Sequence, residues 1–176
     1  MINLQAGISY KRDNMDGKAK YLSGLVLVLC MFMSTFVAAD IKGGQAAILK
    51  GDFPKAFKEF MSDANKGVAH AQAAVGVMLH LGQGVKRDLK KALSWYRKAG
   101  ENGYEAGLAN VGVMYYKGAG TQNDDIQAYA WLDVASHIRG GREHNAKAKV
   151  ASYLSPQQLQ KAKKLALKYR QKYTIK

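Results

Sequence analysis

Apolar positions recur at helical spacing through the middle of this chain. Ala71, Ala74, Val75 and Met78 stand at i, i+3, i+4 and i+7, which gathers them on one face of a helix. Ala92, Trp95, Tyr96 and Ala99 repeat that spacing, and so do Ala128, Trp131, Leu132 and Ala135. Punctuation separates these stretches. Gly82-Gln83-Gly84 and Gly118-Ala119-Gly120 close the first helices, because glycine takes the left-handed conformation of a helix end without a steric penalty. Asp52, Asp88 and Asp124 each precede a second helix, where a carboxylate accepts from the free backbone N–H groups of the first turn. Pro54 falls in such a first turn, where its missing N–H costs little. The pattern predicts an all-α chain built from helix pairs.

The pairs are copies of one unit. A shift of 36 residues lays Val75-Gly76-Val77-Met78 on Val111-Gly112-Val113-Met114. It also carries Gly82 to Gly118, Gly84 to Gly120, Asp88 to Asp124, Ala92 to Ala128 and Trp95 to Trp131. Backwards, it takes Asp88 to Asp52, Tyr96 to Phe60 and Gly103 to Gly67. A repeat region over 40–140 thus holds a half repeat at about 51–68 and full repeats at about 69–104 and 105–140. Stacked helix pairs bury a continuous core, leave a concave groove and need polar caps at their ends. Gly76, Gly112, Ala92 and Ala128 allow neighbouring helices to approach, with Trp95 and Trp131 expected to fill the remaining space alike. Residues 141–176 read as basic capping helices. Ser155-Pro156-Gln157-Gln158 offers a capping box with proline in the first helical position. The helix after it puts Leu159, Ala162, Ala166, Tyr169 and Tyr173 on one face, and Lys161, Lys164, Lys168 and Lys172 on the other.

The stretch from Val75 to Ala99, with its Gly82-Gln83-Gly84-Val85 loop, Asp88, Lys91-Ala92 and Trp95, resembles the Sel1-like repeat, a tetratricopeptide-like family. Ala128-Tyr129-Ala130-Trp131-Leu132-Asp133 and Leu154-Ser155-Pro156 resemble the closing part of such proteins. Val75 and Val111 replace a usual leucine, Leu79 replaces a tyrosine, and Thr121-Gln122-Asn123 departs from the usual loop. These changes are conservative for folding. The resemblance implies an α/α solenoid serving as a non-enzymatic protein-interaction scaffold, of a kind common in bacterial envelopes. Some cysteine-rich relatives are described as penicillin-binding or lactam-hydrolysing, but their defining cysteines are absent.

The amino terminus reads differently. Lys18 and Lys20 precede an apolar run from Leu22 that ends in Val37-Ala38-Ala39, the marks of a signal peptide over residues 1–39. Cleavage after Ala39 would start the mature chain at Asp40, and translation would begin at Met1 or Met15. An uncleaved membrane anchor is the alternative, since the run approaches the length that spans a bilayer. The expected location is periplasmic or secreted. The lone cysteine, Cys30, lies inside that segment, so the mature protein would carry no disulfide and no cysteine metal cluster.

Composition adds a charge asymmetry. The 176 residues carry a net charge of +14, and 18 glycines are largely accounted for by the repeat. From Arg142 onward ten Lys or Arg stand against the single acid Glu143, whereas residues 40–141 are nearly balanced. Such a helix is either a solvated, solubilising face or a contact for an anionic envelope surface. Export argues against nucleic acid as the partner. Catalytic chemistry finds little support. His70, His80, His137 and His144 have neither metal-ligand spacing nor a cysteine beside them. Gly82-Gln83-Gly84 lacks the third glycine of a dinucleotide fingerprint. Asp124 and Asp125 are explained by an N-cap and a first-turn acid. No cofactor or metal is expected. His80, Tyr115, Tyr116 and Lys117 close the first helices of their units and are candidates for a peptide-binding rim, beside Lys161, Lys164, Lys168 and Lys172. A protein or peptide partner is the leading expectation. An envelope enzyme or enzyme accessory acting on cell-wall glycan is the alternative.

Overall fold

The computed structural model describes residues 42–139 and 144–173. The segment predicted to be a signal peptide lies outside them. Eight helices follow one another among the described residues: α1 (Lys42–Leu49), α2 (Phe53–Asn65), α3 (Ala69–Leu81), α4 (Leu89–Glu101), α5 (Glu105–Lys117), α6 (Asp125–Arg139), α7 (His144–Ala151) and α8 (Pro156–Tyr173). From α1 to α6 each helix packs on the next, and α6 then carries both α7 and α8. That succession is an α solenoid. Among the described residues no helix is long and apolar enough to cross a membrane.

The period seen in the sequence is a period in hydrogen bonds. Asp52, Asp88 and Asp124 accept from the backbone N–H three residues on, at 3.1, 2.9 and 2.9 Å. Gln83 and Ala119 donate their N–H to Met78 and Met114 carbonyls, the closing bond of a glycine-capped helix. Val68 and Tyr104 bond back to Asp63 and Ala99 in the same way after the second helices. Gly82 and Gly118 take φ of 75° and 63°, a region that costs an L-residue about 1–2 kcal/mol. At Gly84 a Cβ would also collide with the Phe53 carbonyl and Pro54, and at Gly120 with the Leu89 carbonyl, the same place one unit later. The second glycine of each loop therefore seats it against the preceding unit.

Small residues face large ones across each hairpin. A Cβ on Gly76 would meet the Tyr96 ring at 2.7 Å, and one on Gly112 would meet Leu132 at 2.7 Å. Ala56, Ala92 and Ala128 are fully buried beside them. The two tryptophans are not alike, contrary to the expectation from their shared position. Trp131 is 2% exposed, covered by the rings of Tyr169 and Tyr173 at 4.5 and 5.2 Å and by the Arg97 guanidinium. Trp95 is half-buried, with the Lys98 ammonium 4.2 Å from its ring centre. The difference is α8, which packs along α6 and lays Tyr169 and Tyr173 over Trp131.

Polar contacts fasten α8. The capping box forms: Ser155 N–H donates to Gln158 Oε1 at 2.9 Å, and Gln158 N–H to Ser155 Oγ at 3.3 Å. Asp133 of α6 is buried, and its carboxylate accepts from Arg170 Nε of α8 at 2.7 Å and from Lys147 Nζ of α7 at 3.1 Å. Arg170 Nη1 also meets His137 Nε2 at 2.8 Å. One carboxylate thus ties together the last three helices.

Candidate functional site

The ends of the first helices form a row. On α3, Val77 and Leu81 are 38% and 59% exposed, with His80 half-buried between them. These positions, at i, i+3 and i+4, share one face. One unit on, α5 presents Val113, Tyr116 and Lys117 in the same places. Val113 packs into the carboxy-terminal part of the core with Tyr116 and Leu154, whereas Val77 stays open. The Tyr116 ring stacks on Tyr153, from the turn before α8, at 6.1 Å and 22°. Lys149 Nζ lies 5.9 Å from the Tyr116 ring centre. Tyr116, Lys117, Asn123, Asp125 and Tyr153 line an open cavity of about 460 Å³.

The loops hold these helix ends in a repeated way. Arg87 Nε donates to the His80 carbonyl at 2.9 Å, and Asn123 Nδ2, its equivalent, donates to the Tyr116 carbonyl. Asn123 also reaches Asp125 Oδ1 at 3.4 Å. Burial lowers the His80 imidazole pKa below its ordinary value, and the charges of Arg87 and Lys117 lower it further. His80 is therefore neutral at pH 7 and stands in a positive local field. The Tyr116 phenol is raised, first by its hydrogen bond with Tyr153 and then by desolvation.

Not every predicted site residue joins the row. His80, Tyr116 and Lys117 do. Tyr115 turns inward: it packs on both parts of the core, and its hydroxyl accepts from Arg97 Nη2 at 3.1 Å. It is a packing residue, because its neighbour on the helix takes the outward direction. Lys161, Lys164, Lys168 and Lys172 are exposed along α8, opposite the buried Ala162 and Ala166. Lys172 Nζ sits 5.0 Å from the Tyr173 ring centre, and its hydrogen bond with Tyr173 raises its pKa. Tyr153, Lys149, Arg87 and Asn123 were not singled out from the sequence. The 36-residue shift that pairs Arg87 with Asn123 is the signal that leads to those two. Among the described residues no group of three His, Cys, Asp or Glu side chains is placed to hold a metal ion. Asp124 is engaged in its cap.

Alternating first and second helices, glycine-seated loops and a side-chain row on successive helix ends define a protein of the α/α-solenoid class. Its units are Sel1 repeats: the Sel1 repeat family model matches residues 69–104 and 106–136. Such repeats are typically protein–protein interaction scaffolds. The chain is similar to a protective antigen present in uropathogenic Escherichia coli strains, a crystal structure displaying an SLR fold. The TM-score is 0.74 with 33% identity, over 78% of this chain and 30% of that one. The chain thus spans less than a third of that protein's length. It is also similar to a Sel1 repeat protein from Oxalobacter formigenes, with a TM-score of 0.57 and 25% identity over 72% of this chain and 98% of that one. No curated protein matches the sequence.

Proposed function

We propose that this protein is a non-enzymatic scaffold of the bacterial envelope that docks a segment of a partner protein on the row formed by the ends of α3 and α5 and the turn before α8. The observation that carries the reading is the Tyr116–Tyr153 stack beside an open cavity, continued along α3 by exposed Val77 and Leu81. Aromatic and apolar side chains around a recess are the usual anchors of protein recognition. The basic flank, apolar run and Val37-Ala38-Ala39 ending support export. Mass spectrometry of the chain from its native host should find Asp40 at the amino terminus; an intact chain from Met1 or Met15 would overturn cleavage.

Panning an unbiased displayed-peptide library tests the docking. Selected peptides should lose binding to Tyr116→Ala and to Tyr153→Ala while still binding an α8 variant with Lys161, Lys164 and Lys168 changed to Gln. A second contact is favoured by the exposed lysine stripe of α8, which would meet an anionic envelope surface. Screening over about 8 Å at physiological salt makes that contact salt-sensitive. Binding to phosphatidylglycerol vesicles should fall when Lys161, Lys164, Lys168 and Lys172 become Gln; equal binding would leave the stripe as solvated surface.

A further inference from the structure

The row has a charge as well as a shape. Arg87, Lys117 and Lys149 surround it, and the nearest acid on the cavity wall is Asp125. That carboxylate is already hydrogen-bonded by Asn123 and sits in the first turn of α6, where the helix dipole balances it. Lys117 and Lys149 are both exposed, and the fields of Arg87 and Lys117 meet at the neutral His80. Tyr153, 58% exposed, leaves a ring open to an incoming ring. We propose that the row is a docking strip for an acidic segment of a partner protein bearing one aromatic side chain. The ring lies against Tyr116 and Tyr153, and the flanking carboxylates lie against Lys117, Lys149 and Arg87. This rests on the docking reading above and names its partner chemistry.

Charge complementarity selects the acidic segment, and the open ring of Tyr153 selects an aromatic side chain within it. Cations from three different elements stand along the row: Lys117 at the end of α5 lines the cavity, Lys149 of α7 lies by the Tyr116 ring, and Arg87 of the α3–α4 loop lies by His80. The cavity is shallow and open, so it offers an incoming group the exposed face of Tyr153 beside Lys117. Val77 and Leu81 extend the strip along α3 and suit an apolar residue one or two positions from the aromatic one.

The probes are blocked synthetic peptides: four glutamates flanking one phenylalanine, the same with lysines for the glutamates, and the acidic one with alanine for the phenylalanine. Fluorescence anisotropy should show the acidic aromatic peptide binding at least about tenfold more tightly than either control. Its affinity should fall about tenfold in the Lys117→Glu, Lys149→Glu double variant and severalfold in Tyr153→Ala. All of these positions are exposed or half-exposed, and thermal melts will verify that the variants fold. NMR titration of His80, assigned through His80→Gln, gives a second readout. Saturation with the acidic peptide should raise its pKa, because the bound carboxylates cancel the field of Arg87 and Lys117. Equal binding of the lysine peptide, insensitivity to the charge reversals, or an unmoved His80 would overturn the proposal. Library peptides that depend on Tyr116 yet carry no acids would overturn the acidic partner and leave the docking surface standing. A library with no member that depends on the row would overturn both. Phosphatidylglycerol vesicles that compete the acidic peptide from Lys117 and Lys149 would replace the peptide with a membrane and so overturn it as well.

Discussion

Two tryptophans at one repeat position have different surroundings, and their replacement should separate them. Trp131→Ala removes a fully buried ring from beneath Tyr169 and Tyr173 and should cost about 3–5 kcal/mol. Trp95→Ala removes a half-buried one and should cost on the order of 1–2 kcal/mol. Denaturant midpoints of the two variants measure the gap. Tyr96 offers a test in alkali. Burial pushes its phenol up to about 12, against about 10 in the unfolded chain. Between those values the unfolded chain has released this proton and the folded one has not, so stability falls as pH rises through the interval. Tyr96→Phe should flatten that fall, read as unfolding midpoints near pH 9 and near pH 11. The glycines divide in the same manner. Gly103 has φ of 87° with open space around it, so Gly103→Ala should cost only the conformational strain, about 1–2 kcal/mol. Gly84→Ala adds a collision with the backbone of Phe53 and Pro54 and should cost at least about 1 kcal/mol more.

At the scale of elements, the junction of α6, α7 and α8 depends on one buried carboxylate with two cationic partners. Arg170→Ala leaves Asp133 bonded to Lys147, and Lys147→Ala leaves it bonded to Arg170. Each single loss should be modest. Removing both strands a buried charge, which costs about 3–5 kcal/mol, so the double variant should lose more than the sum of the singles. A double-mutant cycle by chemical denaturation measures this coupling. Additive losses would mean that solvent reaches Asp133 once α8 loosens. The same junction shows which parts of the fold were legible beforehand. The units and their caps obey local rules: an aspartate three residues before a free N–H, or a glycine at a left-handed turn, needs no knowledge of distant chain. Asp133 and Arg170 are 37 residues apart, and nothing local to either names the other. Helix α1 was hidden for a different reason. Two consecutive glycines, Gly43 and Gly44, disfavour a helix by local propensity, yet Gly44 is demanded by the Phe60 ring, which a Cβ would meet at 2.7 Å. The site was half legible. Tyr116 and Lys117 stand out at a helix end, but the inward turn of Tyr115 and the arrival of Tyr153 and Lys149 depend on how the last helices pack.

For the molecule as a whole, the two ends of the solenoid are unequal. The carboxy-terminal end is closed by α8, whose tyrosines and Arg170 finish the core. At the other end of the described residues, α1 shows Ile48 41% exposed and Leu49 88% exposed. Between these ends, every junction is written twice. Gly84 seats on Phe53 and Pro54 as Gly120 seats on Leu89, and each loop leaves a side chain at the same carbonyl. The interior is therefore modular. A second copy of residues 82–117, spliced in after Lys117, would present each new neighbour with a pairing the other repeat already makes, Gly112 meeting Tyr96 as Gly76 does and the copied Gly84 meeting Leu89 as Gly120 does. It would lengthen the molecule by one unit without asking α8 to fit a new partner. Gene duplication is thus an open route to longer versions of this chain, and each added unit would set another helix end beside the last, widening what one molecule can hold.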